Sequence, residues 1–104
     1  MKKQLTSPRF LGPDGAPLAK LQACFEDRAR LAEGSRGDPV AAVQQALIDL
    51  GYDLGPMGAD GIFGRYTAAA VKAFKRDQQL GFEQYSDVGP RTLSRLDELF
   101  PPVF

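Results

Sequence analysis

Few side chains in this sequence have the chemistry of a catalytic group. The chain has no histidine, the commonest general base and zinc ligand. Its single cysteine, Cys24, has no histidine to activate it and is predicted to be a small buried apolar residue. Asp49 and Asp53 resemble a glycosidase carboxylate pair, but one is predicted on a helix and the other in the following loop. We therefore expect no enzyme, no catalytic residue, no metal site and no cofactor.

The most distinctive pattern is the segment Ala59–Thr67, which leads into an apolar-periodic helix. Gly61 and Gly64 permit backbone angles that a side chain would forbid, so the chain can turn sharply into that helix. The Asp60 carboxylate can accept hydrogen bonds from loop amides, and the Thr67 hydroxyl can bond back to the preceding loop. The segment is predicted to start a helix.

Within this segment the apolar pair is predicted to divide, with Phe63 facing the core and Ile62 nearer the edge. The pattern half-recurs at Asp87–Thr92, again before a helical stretch, which indicates an internal repeat. Two interpretations stay open: the loop is a device that holds the fold, or it also walls a shallow groove. Amide groups at a helix start attract anions, including a peptide carboxylate.

Four further side chains near the loop could contact a ligand. Tyr52 and Tyr66 combine an apolar ring with a hydrogen-bonding hydroxyl, although partial burial in the core explains them equally well. Arg65 and Arg91 are assigned equivalent places in the two Gly-x-x-Thr units, and either could bind a carboxylate or lie on the surface. The candidate ligand-binding residues are Tyr52, Asp60, Phe63, Gly64, Arg65, Tyr66, Thr67 and Arg91.

The remaining sequence supplies the elements that would position these residues. Residues 1–16 are rich in proline, glycine and charge and are predicted to form an extended arm, either mobile or pinned by Phe10 and Leu11. Apolar spacing predicts helices over residues 17–32, from Asp38 to the Gly51 cap, over residues 64–79, and from residue 90 to before residue 101. The predicted core comprises Val43, Leu47, Leu50, Val71, Phe74, Leu93 and Leu96.

Composition restricts the function further. The 104 residues fit one domain, and 43% hydrophobic residues indicate a globular chain. Thirteen basic and thirteen acidic residues cancel, whereas a nucleic-acid binder normally carries a basic surplus. Polar residues interrupt the start of the chain, so no signal peptide is recognised, and no stretch is long enough for membrane insertion.

Several motifs occur together between residues 34 and 100. They are Val40-x-x-Val43-Gln44-x-x-Leu47-x-x-Leu50-Gly51-Tyr52, then Asp60-Gly-x-Phe-Gly-x-x-Thr67, Ala70-Val71-x-x-Phe74, and Val88-Gly-Pro-x-Thr92-Leu93-x-x-Leu96. This set resembles the peptidoglycan-binding domain 1 family. The resemblance implies an all-α three-helix bundle with an internal pseudo-repeat, here with an extra N-terminal helix and arm. We expect an arm and accessory helix over residues 1–33 and the binding-domain fold over residues 34–104.

Two positions depart from the family pattern. Tyr85 and Ser86 stand where the family often has a second Asp-Gly, and Lys75 stands where it usually has glutamine after Phe74. Both departures leave the predicted core intact and change the predicted ligand surface.

The resemblance implies a non-catalytic module that binds the stem peptide or glycan of peptidoglycan and anchors a partner activity, such as a hydrolase, at the wall. It also implies the bacterial cell envelope or extracellular delivery. Other strings, including Phe74–Leu80 and Val88-Gly-Pro, resemble segments of proteins near contractile phage-tail-like injection systems. A structural, cargo or adaptor protein of an injection particle is therefore the alternative.

Overall fold

Four α-helices and one short 3-10 helix make up the regular structure of residues 3–102, the part of the chain that this computed structural model describes. The 3-10 helix is Pro8–Phe10, and the α-helices are α1 (Ala19–Phe25), α2 (Asp38–Asp49), α3 (Arg65–Asp77) and α4 (Pro90–Leu99). Antiparallel pairing over the same residues is confined to isolated bridges. The all-α fold is confirmed, with α2, α3 and α4 at the predicted places.

The starts of α3 and α4 repeat the same local geometry. Gly64 precedes α3 with φ −114° and ψ −161°, and Gly89 precedes α4 with φ −119° and ψ −160°. In each case the carbonyl of the glycine accepts a backbone hydrogen bond four residues later, from Ala68 and Leu93 respectively. The internal repeat seen in the sequence is thus also a repeat of backbone conformation.

Three helices end in the same capping arrangement, at Asp27, Gly51 and Gln79. Each of these residues has a positive φ, of 64°, 99° and 56° respectively. The next amide reaches back five residues, as in the 3.0 Å bond from the Leu80 amide to the Lys75 carbonyl. This is the Schellman cap, which satisfies carbonyls that the helix leaves unpaired. The Gly51 cap is confirmed, whereas the helix predicted over 17–32 is shorter because Asp27 ends it.

Within residues 3–102, a single cluster of buried side chains forms the core, and it extends beyond the predicted bundle. Six of the seven predicted core residues are at most 1% exposed, but Leu50 is 36% exposed. Leu50 is the C-cap of α2, where the chain already leaves the buried helical face. The other fully buried large apolar side chains include Leu5, Phe10, Leu21, Leu31, Val40 and Phe63.

The N-terminal arm is pinned to the bundle along residues 5–10. Phe10 is completely buried, which confirms the pinned alternative, while Leu11 is only half-buried. The buried Asp97 of α4 accepts hydrogen bonds from the amides of Thr6 (3.1 Å) and Ser7 (2.7 Å). Buried carboxylates require such donors, so residues 6–7 and α4 depend on each other. Residues 1 and 2 of the predicted arm lie outside the described residues, as do residues 103 and 104.

The connector at residues 31–37 links the two loops that start α3 and α4. Leu31 and Val88 exchange backbone hydrogen bonds of 3.2 and 2.8 Å. Further along, the Phe63 amide donates to the Ser35 carbonyl (3.0 Å), and the Gly37 amide donates to the Gly61 carbonyl (2.8 Å). The connector therefore holds both copies of the repeat from one side.

The helices of residues 3–102 are all too short or too polar to cross a lipid bilayer. Because the chain folds around one cluster, its two repeated loops lie on a common scaffold.

Candidate functional site

The loop at Asp60–Thr67 is held by one buried side chain of α2, Gln44. The Gln44 Nε2 group donates to the Ile62 carbonyl (2.9 Å) and to Thr67 Oγ1 (2.9 Å), and it lies 3.3 Å from Asp60 Oδ1. Its Oε1 accepts from the Gly61 amide at 2.8 Å. The amide of Gln44 is 1% exposed, so these bonds are protected from water.

The two glycines of this loop differ in what they require. Gly61 has φ +78° and an added Cβ would lie 3.3 Å from the Gly37 carbonyl oxygen, so a side chain there is strained and crowded. Gly64 has an ordinary extended conformation, and an added Cβ would meet no atom within 4 Å. The expectation that both glycines need unusual backbone angles is confirmed for Gly61 and wrong for Gly64.

The other residues of the loop divide between core and surface. Phe63 is 2% exposed and Ile62 is 43% exposed, which confirms the predicted orientation of the pair. The Asp60 carboxylate accepts from the Ile62 amide (3.0 Å), as expected. Because Phe63 and Thr67 are buried, their side chains support the loop, whereas the side chain of Asp60 is exposed.

Tyr66 and Arg65 form an exposed stack beside the loop. The Arg65 guanidinium carbon lies 5.2 Å from the centroid of the Tyr66 ring, within cation–π range. The backbone at Gly55 also packs against the Tyr66 ring, because an added Cβ at Gly55 would lie 2.8 Å from atoms of that ring. Tyr66 remains 45% exposed despite these two contacts, so part of its side chain is open to a ligand.

Tyr52 lies at the opposite end of α3. Its hydroxyl donates to the Asp77 carboxylate at 2.7 Å, and its ring meets Phe74 edge-on at 6.1 Å between centroids. Burial, with the bond to Asp77, raises the pKa of Tyr52 to about 12. Tyr66 and Asp77 are eleven positions apart on α3, roughly 16 Å along the axis at 1.5 Å per residue. Tyr52 and Tyr66 therefore do not share a small site.

Arg91 lies in a separate cleft, at the second copy of the repeat. This cleft has a volume of about 640 Å³ and lies between α4, the end of α3 and the loop at residues 80–89. The Arg91 Nη1 group donates a hydrogen bond to the Leu80 carbonyl at 2.9 Å. The volume falls in the range of ligand sites in proteins. The residues that line the cleft are Arg30, Ala32, Lys75, Leu80, Gly81, Phe82, Tyr85, Ser86, Asp87, Gly89, Pro90, Arg91 and Thr92.

The inner end of this cleft carries a network of charges around Asp87. Lys75, only 5% exposed, donates from Nζ to the Tyr85 carbonyl (2.9 Å) and lies 3.4 Å from Asp87 Oδ1. The Arg30 Nε group lies 3.2 Å from Asp87 Oδ2, and its Nη2 group lies 2.6 Å from Asp27. The hydrogen bond with Asp27 is the largest factor that raises the pKa of Arg30. Gly89 makes room for this guanidinium, because a Cβ there would lie 2.7 Å from Arg30 Nε.

The carboxylates and the thiol considered for catalysis are otherwise engaged. Asp49 forms a salt bridge with Arg9, whose hydrogen bond is the main factor that lowers the pKa of Asp49. Asp53 accepts a hydrogen bond from the Gly55 amide at 2.8 Å. Cys24 is completely buried, which raises the pKa of its thiol and confirms its predicted place in the core. Within residues 3–102, no three acidic, cysteine or histidine side chains are grouped closely enough to hold a metal ion.

The structure thus divides the predicted ligand-binding residues among three places. Asp60, Phe63, Gly64 and Thr67 belong to the loop held by Gln44, with Arg65 and Tyr66 stacked beside it, whereas Tyr52 and Arg91 lie elsewhere. The prediction that Arg65 and Arg91 hold equivalent places in the two Gly-x-x-Thr units is wrong by one position. Since Gly64 corresponds to Gly89, Arg91 takes the place of Tyr66, and Arg65 that of Pro90.

Sequence reasoning missed the cleft residues Lys75, Phe82 and Asp87. One signal could have found them: Lys75 and Tyr85 are departures from the family pattern, and in the structure these two departures are in contact. Lys75 also matches Gln44 in the repeat, because Val40-x-x-Val43-Gln44 aligns with Val71-x-x-Phe74-Lys75. Each is a buried polar side chain that reaches the backbone of the loop preceding the next helix.

The fold of residues 3–102 and these sites define a small all-α binding module with two differently built loops and an open cleft beside the second. A family model described as a putative peptidoglycan binding domain matches residues 36–96, more than half of the chain. This protein therefore belongs to the family of peptidoglycan-binding domains.

Two further proteins are similar to this chain. The type VI secretion system spike protein VgrG3 of Vibrio cholerae serotype O1 is 38% identical over 90 residues, which cover 78% of this chain and 8% of that protein. A crystal structure of a peptidoglycan-binding protein from Clostridioides difficile in complex with glutamine hydroxamate superposes with a TM-score of 0.62 at 33% identity. That match covers 70% of this chain and 43% of the other. This chain thus spans less than half of either protein.

Proposed function

We propose that this protein binds peptidoglycan without chemical turnover and thereby holds a partner activity at the bacterial cell wall. The cleft beside α4 is the observation that carries the proposal, since it is the place where the binding-domain fold presents a concave surface with exposed aromatic and basic side chains. Peptidoglycan offers both of the complementary features, because its stem peptides carry carboxylates and its sugars and peptides present flat apolar faces.

The chemistry of the cleft favours binding over catalysis. Among the described residues that line it, Asp87 is the one carboxylate, and both Lys75 and Arg30 face that carboxylate. Hydrolysis of a glycosidic bond commonly uses two carboxylates on opposite sides of the bond. The described lining of the cleft offers one carboxylate rather than such a pair, so we expect no cleavage of the wall.

Co-sedimentation with purified sacculi tests the proposal. A single open site is expected to bind with a dissociation constant on the order of micromolar to millimolar. The bound fraction should saturate and fall at high salt, because charged contacts are screened. An unrelated protein of similar size and charge is the control for trapping in the pellet. Equal pelleting of both proteins would refute wall binding, and release of soluble fragments from the sacculi would refute the non-catalytic role.

The alternative, a component or cargo of a contractile injection particle, has one observation in its favour. The chain is 38% identical to a segment of a type VI secretion spike protein. Wall binding and particle assembly are compatible, since a wall-binding module on a spike would meet an envelope on delivery. Sedimentation of intact particles from cells that produce the tagged chain tests this role, with a strain lacking the particle sheath as control. Absence of the chain from the particle fraction would count against it.

A further inference from the structure

The loop at residues 80–89 holds two aromatic side chains in the open at the mouth of the cleft. Phe82 is 64% exposed and Tyr85 is 58% exposed. The Tyr85 amide donates to the Phe82 carbonyl at 3.0 Å, so a tight turn places both rings on the same short segment. Exposed aromatic rings do not contribute to the core, and a pair of them beside a cleft is typical of a binding surface.

The backbone at Phe82 is strained. Its φ is +55°, a left-handed conformation that a residue with a side chain adopts at a cost. Neighbouring Gly81 also has a positive φ, of 82°, but as a glycine it is not strained. A phenylalanine that is both strained and exposed stabilises neither its backbone nor the core. Such strain, where it persists, is often associated with function.

The three cations of the cleft are not equivalent. Lys75 and Arg30 are occupied by Asp87, and Arg30 also by Asp27. Arg91 is exposed, and among residues 3–102 no salt bridge pairs it with a carboxylate. Its bond to the Leu80 carbonyl orients the guanidinium through Nη1 at the edge of the cleft. A guanidinium that is oriented in this way has further N–H groups with which to meet an incoming anion.

We infer that the cleft is the peptide-binding site of the module, in which Arg91 binds a free carboxylate of the peptidoglycan stem peptide while Phe82 and Tyr85 contact the adjoining peptide. This inference rests on the proposed function and assigns it a site different from the Asp60–Thr67 loop. Arg91 and the two rings set the specificity, and Lys75 is a positioning residue because it holds the loop through the Tyr85 carbonyl.

Amide NMR of the full chain, titrated with a purified stem peptide released from sacculi by an amidase, tests the site directly. We expect shifts concentrated on the amides of residues 80–89 and 91–92. The same peptide with its carboxylates converted to amides should bind about tenfold more weakly, because the charge-assisted bonds to Arg91 are lost. Equal affinity for the two peptides, or shifts confined to residues 59–67, would overturn the inference.

Variants give an independent test of the same site. R91Q should weaken peptide binding about tenfold, and R91K should lie between R91Q and the parent because it keeps the charge without the planar fork. F82G should weaken binding by about fivefold while keeping or raising the melting temperature, since glycine relieves the strain. R28Q, which removes an exposed arginine paired with Glu26 at the end of α1, is the matched control and should bind as the parent does.

The same variants in the sacculus assay separate this inference from the proposed function. If the parent sediments with sacculi and R91Q and F82G sediment equally well, the cleft is not the site, although wall binding stands. Loss of sedimentation by R65Q or Y66A, with no effect of R91Q, would place the site at the Asp60–Thr67 loop and also overturn the inference. If the parent fails to sediment but the peptide shifts the amides of residues 80–89, the site is supported and the wall-anchoring role is not.

Discussion

At the scale of single residues, Gln44 holds the loop at Asp60–Thr67, which we call the first loop, through side-chain hydrogen bonds in place of backbone ones. One amide group satisfies a donor and two acceptors of the loop and is itself buried. Gln44→Met keeps the volume but leaves the Gly61 amide and the Ile62 carbonyl without this partner, so we expect a loss of about 3 kcal/mol in the free energy of unfolding. Chemical denaturation measures this loss. Gln45→Met, at the exposed neighbouring position, should change the stability by less than about 0.5 kcal/mol, and an equal effect of both would refute the role of Gln44.

The two glycines of the loop give a second pair of matched variants. Gly61→Ala forces a side chain into a positive φ and against the Gly37 carbonyl, so it should cost about 1–2 kcal/mol or more. Gly64→Ala meets neither obstacle and should cost less than about 1 kcal/mol, mainly through the weaker helix start. Thermal denaturation of both variants checks the order, and a larger loss for Gly64→Ala would contradict it.

Tyr52 should make the stability depend on pH in the alkaline range. Its pKa is about 12 in the folded protein and near 10 when unperturbed, so the folded state holds the proton more tightly. The stabilisation is therefore complete below about pH 10 and is lost as the pH rises toward 12. In Tyr52→Phe the decline in the free energy of unfolding between pH 10 and 12 should be shallower. Parallel pH profiles for the parent and this variant would show that Tyr52 does not contribute.

At the scale of the helices, the caps determine where each helix stops. Gln79 holds the left-handed cap position of α3 with φ 56°, although glycine is the residue that suits this conformation. Gln79→Gly should therefore stabilise the protein by about 1 kcal/mol, whereas Lys72→Gly, at an exposed position inside α3, should destabilise it by a similar amount. Urea denaturation gives both values, and two losses instead of one gain and one loss would contradict this assignment of the cap.

The helices also show which parts of the structure can be predicted from the sequence. The starts of α2 and α4 were predictable because a proline stands at the first or second helical position, and α3 because its apolar face is regular. The end of α1 was not, since Asp27 adopts the left-handed conformation, which residues other than glycine adopt in only a few per cent of cases.

The Asp60–Thr67 loop and the cleft also differ in how far the sequence predicts them. The inward Phe63 and the accepting Asp60 follow from local alternation and turn chemistry, so they were predictable. The cleft was only partly predictable. Lys75 and Tyr85 stand out as departures from the family pattern, but the sequence does not show that Lys75 bonds to the backbone carbonyl of Tyr85. Arg30 enters the cleft from outside the recognised motifs, through the room left by Gly89.

At the scale of the whole molecule, the residues before the family match are part of the fold. Leu5, Phe10, Leu21, Cys24 and Leu31 are at most 1% exposed and belong to the same cluster as the core of the bundle. Burial of a large apolar side chain contributes roughly 1.5–3 kcal/mol, and a domain has only about 5–15 kcal/mol in total. We therefore expect the boundary predicted at residue 33 to divide two regions of sequence that fold as one unit.

Circular dichroism of a chain comprising residues 34–104 tests this expectation. The shortened chain should lose cooperative thermal unfolding, or melt far below the parent, because α4 would expose the face that residues 5–31 cover. An Asp97→Asn variant of the full chain is a milder comparison, which weakens the hold on residues 6–7 while every apolar contact remains. If residues 34–104 unfold as cooperatively as the parent, the N-terminal part is an appendage.

The attachment of Lys75 to a carbonyl has a consequence for how this module can diversify. Every amino acid carries the carbonyl that Lys75 holds, so the side chain at position 85 is exchangeable as far as that anchor is concerned. The first loop has less latitude, because Gln44 also bonds to the hydroxyl of Thr67, and Gly61 must stay a glycine. A library that randomises positions 82–85 should therefore yield folded proteins with new ligand preferences. The loop at Asp60–Thr67 would then be the constant part of the repeat, and the loop at residues 80–89 the part that varies with the ligand.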